Sequence, residues 1–101
     1  MEEVIKEAMI LEHGKISVVE SKISAASLDE NELLVRFDSA PVNPSDYYHV
    51  YGKYSSVKTT PPYRLGFEGM GVIEQVGSGI DKQIIGKYCL FGSYKGTYAT
   101  K

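Results

Sequence analysis

The chain has 101 residues, which is enough for one domain with its own core and too few for a second of ordinary size. With 43% hydrophobic and 24% charged residues it has neither the low hydrophobicity of a disordered chain nor an apolar run of membrane length. A net charge of -2 with scattered lysine and arginine leaves no electrostatic footprint for nucleic acid, and a single cysteine cannot build a disulfide framework.

The opening M-E-E-V-I-K-E-A is too acidic for a transit peptide and too broken for a signal peptide. With one cysteine in the whole chain, this predicts a cytoplasmic, reducing setting. Residues 6–12 carry the apolar Ala8, Met9, Ile10 and Leu11, and the turn Glu12-His13-Gly14-Lys15 separates them from a β-type run over 16–20, so a hairpin is expected. A polar, small-residue connection over 21–30 leads to a strand over 32–40. There Leu33, Val35 and Phe37 share one face by the two-residue period.

That strand feeds V-N-P-S-D-Y-Y-H-V-Y-G-K-Y, residues 42–54, the candidate active-site stretch. Asn43, Pro44 and Asp46 read as N-cap, N1 and an acidic N3, and Gly52 as the stop, so a short helix lies between them. Tyr47 and Tyr51 share one side of it, Tyr48 lies on an adjacent side, and Tyr54 lies beyond the glycine. Residues 55–64, with two adjacent prolines and no period, read as an exposed loop. A strand over 65–77 is entered through Gly66, Gly69 and Gly71, a density that implies close backbone approach or positive φ. A turn over 82–86, a strand over 87–91 and a last strand over 96–100 complete an all-β chain. The expected architecture is a small irregular barrel or two orthogonal sheets with one or two short helices. Gly77-Ser78-Gly79 is no dinucleotide fingerprint: Lys82 stands where the third glycine belongs, and a turn follows rather than a helix.

In order, V-N-P-S-D, G-x-Y, P-P, G-F-E-G-x-G-V-x-x-x-V-G-S-G, G-K-Y and G-T-Y-A resemble the N-terminal, GroES-like catalytic domain of the medium-chain dehydrogenase/reductase superfamily. The likeness is close over 42–99 and loose before that. Zinc alcohol dehydrogenases of that superfamily have cysteine at the position of Asn43 and histidine at that of Phe67, and a lobe with four cysteines. The chain has none of these, so it is similar to the zinc-independent quinone oxidoreductases and enoyl thioester reductases. The resemblance implies NADPH-dependent hydride transfer to a conjugated carbonyl compound, a small-molecule substrate, and no metal. It also implies a nucleotide-binding Rossmann domain beyond this chain, and either that domain or a second copy as partner. Residue by residue, Asn43 matches an asparagine near the nicotinamide or substrate and Tyr48 a tyrosine lining the same pocket, so both are implied cofactor contacts. Tyr54 matches the tyrosine that assists protonation in the enoyl reductases. Val50 stands where many quinone reductases have arginine, a departure from that pattern.

Each of these residues also has a plainer reading. Asn43 serves as a helix cap, Asp46 as a structural N3 carboxylate, and the helical tyrosines as packing residues. Glu68 is expected to hydrogen-bond backbone in the glycine-rich bend, His13 and His49 to be solvated, and Cys89 to be a core residue. For the whole chain the alternative is a stand-alone GroES-like binding or assembly module that self-associates through an exposed apolar face.

Overall fold

A computed structural model describes residues 2–53, 60–92 and 96–101. The hairpin is longer than the apolar run suggested. β1 (Glu2–Glu12) pairs antiparallel with β2 (Lys15–Ser24) from Glu2↔Ser24 to Ile10↔Ile16 before the register shifts at the turn. The charged flanks of both strands are exposed and so carry no apolar signal. The expected connection over 21–30 therefore begins four residues later, with a 3-10 turn at Ala25–Ser27 capped by the Ser24 hydroxyl.

Ile5 and Ile10, 3% and 0% exposed, are an odd number of positions apart and so lie on opposite faces of β1. Each face supplies a different layer. Ile10 packs with Tyr63 and Leu65, flanked by Ala8, Val50 and Tyr98. Ile5 borders an open cleft of about 560 Å3 shared with Leu33, Val35, Phe37 and Phe91 of the second sheet.

That sheet is formed by β3 (Leu33–Ser39), β5 (Gly69–Val76) and β6 (Tyr88–Phe91) in the order β3-β5-β6. Val35 and Ile73 are its buried hydrophobic residues, paired just past a bulge at Leu34/Val35. Val35 follows the predicted face, while Leu33 and Phe37 are only half-buried. Cys89, expected in the core, is also half-buried, because β6 pairs only with β5 and lies at the sheet edge.

Three further expectations are corrected. Residues 63 and 64, assigned to an exposed loop, form β4 (Tyr63–Arg64) on the free edge of β1, opposite Ile10 and Met9, and Tyr63 is 3% exposed. Two residues are too few for a period to show, and the prolines before them mask the strand. The strand expected from residue 65 begins at Gly69, because 65–68 bend away through Gly66 at φ +101. Residues 96–101 form no ladder strand; a single bridge, Glu7↔Ala99, is all that forms.

This last segment instead runs between the sheets. Tyr98 bonds both ways across β1 and the bend, through Ala8 N–H to its carbonyl at 2.8 Å and its own N–H to the Leu65 carbonyl at 3.0 Å. Thr100 donates to the Lys6 carbonyl at 2.8 Å and accepts from Phe37 N–H at 3.0 Å. The two three-stranded sheets are thereby stitched into the irregular barrel, all-β among the described residues apart from one short helix and two 3-10 turns.

Candidate active site

The helix α1 (Pro44–Val50) is built as its sequence dictates. Pro44 pre-sets φ at N1, and the Asp46 carboxylate accepts the Asn43 backbone N–H at 2.7 Å, the carboxylate half of a capping box. At the other end Gly52 N–H donates to the His49 carbonyl and Lys53 N–H to the Tyr48 carbonyl. These are the two bonds of a Schellman stop, which places Gly52 at φ +71. The hairpin tip fixes this end, since Gly14 N–H donates to the Val50 carbonyl at 2.9 Å and His13 lies against Gly52.

The helix turns an unexpected face inward. Asp46 and His49, three apart, are 3% and 0% exposed, whereas Tyr47, Tyr48 and Tyr51 are each more than half exposed. The expectation of a solvated His49 is therefore overturned. Its ring stacks on Tyr63 with centroids 4.5 Å apart and tilts against Phe67 at 5.0 Å, and the Tyr63 hydroxyl donates to its carbonyl at 2.6 Å. The i, i+3, i+4 spacing of Asp46, His49 and Val50 was the available signal. It was hidden because two of the three are polar and the more apolar tyrosines lie opposite.

Asn43 is held by a partner from across the fold. Its side-chain amide donates to Glu68 Oε2 at 3.1 Å. Glu68 was expected to bond backbone through its carboxylate; instead its carbonyl takes the backbone role, accepting from Thr97 Oγ1 at 2.7 Å, and the carboxylate faces Asn43. Thr97 is 1% exposed. Three separate segments thus meet at the helix entrance, an arrangement no local pattern encodes.

Two clefts flank α1. One, of about 430 Å3, is lined by Val42, Asn43, Pro44, Tyr47 and Tyr48. The other, of about 370 Å3, lies between the hairpin tip and the helix, with Ile16, Asp46, Tyr47, Tyr51 and Tyr98 among its walls. Asn43 and Tyr48 are thus brought to one cleft, while Tyr54 lies outside the described residues. The 560 Å3 cleft between the sheets is larger but is lined by neither Asn43 nor Tyr48. Among the described residues no three metal-ligating side chains gather.

Tyr98 is a strongly perturbed phenol near the site. Burial first, and the Asp46 carboxylate second, push its pKa up to about 12, and its hydroxyl donates to the Pro41 carbonyl at 2.8 Å. A folded pKa above the unfolded value near 10 means that its contribution to stability is fully present below about pH 10 and is lost as pH rises through about 12. In an absorbance titration of phenolate formation, Tyr98 is expected to ionise among the last of the eight tyrosines. In Tyr98→Phe the absorbance change near pH 12 should shrink by one tyrosine's worth; an unchanged amplitude would assign that titration elsewhere.

Over residues 29–99 the chain matches the family described as the alcohol dehydrogenase GroES-like domain. The mitochondrial enoyl-[acyl-carrier-protein] reductase of Arabidopsis thaliana is 33% identical over 72 residues, 69% of this chain and 19% of that protein. Enoyl-[acyl-carrier-protein] reductase 2 of Debaryomyces hansenii, also mitochondrial, is 31% identical over 102 residues, 88% of this chain and 26% of that one. Among solved structures, an NADPH:quinone reductase from Bacillus thuringiensis matches 96% of this chain with a TM-score of 0.85 at 30% identity. An Etr1p mutant in complex with NADP and crotonyl-CoA matches 99% with a TM-score of 0.83 at 25% identity. The chain spans about a fifth to a third of the length of these proteins. No helix among its described residues is long and apolar enough to cross a membrane.

Proposed function

Because the chain belongs to the alcohol dehydrogenase GroES-like domain family, we propose that it is the substrate-side catalytic domain of a zinc-independent, NADPH-dependent reductase of the quinone or enoyl thioester type. It works with a nucleotide-binding Rossmann domain carried elsewhere in a longer protein. The observation that carries this reading is the match along nearly the whole chain to an NADPH:quinone reductase and to an enzyme bound to NADP and crotonyl-CoA.

The side chains at the helix entrance fit one end of such a cofactor. An amide and a phenol beside an open, largely apolar cleft suit an aromatic carboxamide, which needs hydrogen bonds at its rim and contact on its face. NADPH, when bound, supplies the hydride. Asn43 and Tyr48 then hold the nicotinamide end. Tyr54, as general acid, donates its phenolic proton to the substrate position where negative charge develops. A phenol of ordinary pKa near 10 carries that proton at neutral pH.

In the complete protein, absorbance at 340 nm is expected to fall on addition of either a quinone or crotonyl-CoA, while the 101-residue chain alone leaves NADPH unchanged. Turnover by the isolated chain at an ordinary enzyme rate, on the order of 10 s-1, would contradict the reading. So would a complete protein inert toward both acceptors. The reading places the protein in the cytoplasm; two relatives are mitochondrial by name, and cell fractionation tells the compartments apart.

One observation favours a second reading, a binding module without catalysis. Val18, Val42, Leu90 and Tyr47 are 66% to 79% exposed, large apolar side chains left open to a partner. A second domain or a second copy would cover it. An endogenous protein of about 11.2 kDa that self-associates would favour the module over the reductase fragment.

A further inference from the structure

The contact between Asn43 and Glu68 has a direction. An ionised carboxylate only accepts hydrogen bonds, whereas an amide carries a donor end and an acceptor end that are nearly the same shape. With Glu68 Oε2 3.1 Å from Asn43 Nδ2, the NH2 end is committed to Glu68 and the carbonyl end Oδ1 is turned away from it. Oδ1 has two lone pairs, so it can face the helix N-terminus and still accept from a ligand.

Glu68 is itself held from behind. Its carbonyl accepts from the buried Thr97 hydroxyl, and the Gly66 carbonyl accepts N–H bonds from Gly96 at 3.1 Å and Thr97 at 3.3 Å. The carboxylate thus projects from a bend tied to the segment that joins the two sheets.

We propose that Glu68 is a positioning residue that fixes the polarity of the Asn43 amide, so that the site presents a hydrogen-bond acceptor to the carboxamide NH2 of the nicotinamide. The inference rests on the reading above that Asn43 meets the nicotinamide. Glutamine at position 68 would keep the size of the side chain but offer both a donor and an acceptor, and the Asn43 amide would lose its enforced orientation.

The test uses the complete protein with NADPH and with its reduced 3-acetylpyridine analogue, in which a methyl group replaces the carboxamide NH2. Wild type is expected to bind NADPH about tenfold more tightly than the analogue, the size expected when a buried acceptor loses its donor. Glu68→Gln and Asn43→Ala should each reduce that preference to about threefold or less, and the double variant should reduce it no further, since both act through one contact. A merely structural role for Glu68 would weaken both cofactors alike and leave the ratio intact. If Asn43→Ala removes the preference and Glu68→Gln keeps it, the positioning role is overturned and the cofactor contact stands. If Asn43→Ala keeps the preference, the cofactor contact itself fails, and this inference with it.

Discussion

Gly66→Ala is expected to destabilise the fold by at least about 3 kcal/mol, a large share of the roughly 5–15 kcal/mol that holds a domain together. Two independent costs coincide at this residue. Its φ of +101 lies where L side chains rarely go, and a Cβ there would overlap Thr97 Oγ1 and sit 2.7 Å from the Tyr98 backbone nitrogen and 2.8 Å from the Tyr98 ring. The neighbours cannot move aside. Thr97 is buried and donates to the Glu68 carbonyl, and Tyr98 N–H donates to the Leu65 carbonyl. Relief of the clash would have to break the stitch between the sheets. Urea unfolding should show the midpoint falling by about 1 M or more, given slopes of about 1–3 kcal/mol/M. Gly92→Ala is the control, because no described residue lies within 4 Å of its added methyl group and its φ is not in the left-handed range. Equal midpoints for the two variants would show that the Gly66 bend tolerates a side chain and that the packing argument is wrong.

Tyr54→Phe in the complete protein is expected to lower kcat at least about tenfold, the low side of general-acid effects. The substitution removes one oxygen and keeps the ring, so a role in packing would leave kcat nearly unchanged. KM for NADPH should move little, because the proposed proton transfer is needed only as charge builds in the transition state. An unchanged kcat would remove Tyr54 from the mechanism. Tyr54 is given this role by the resemblance of Gly52-Lys53-Tyr54 to the G-x-Y segment of the enoyl thioester reductases.

Much of this was legible in the sequence because local physics wrote it there. The hairpin turn, the face of Val35, the helix from Asn43 to its stop at Gly52 and the positive φ of Gly66 each follow from a residue type acting on its own neighbours. The all-β class and the GroES-like family followed from the order of such signals along the chain. What the sequence left undecided were contacts between residues far apart in the chain. β4 is a strand only because β1 has a free edge beside Ile10. His49 is buried only because Tyr63 and Phe67 arrive from other segments to sandwich its ring. Residues 96–101 became a stitch rather than a strand because both sheets offered them bonds at once. The link from Asn43 through Glu68 to Thr97 spans 25 and then 29 positions, and its donors and acceptors find one another only after the barrel has closed. Local propensity acts over a few residues. A polar side chain's choice among distant partners is settled by which of them the closed fold brings within hydrogen-bond reach.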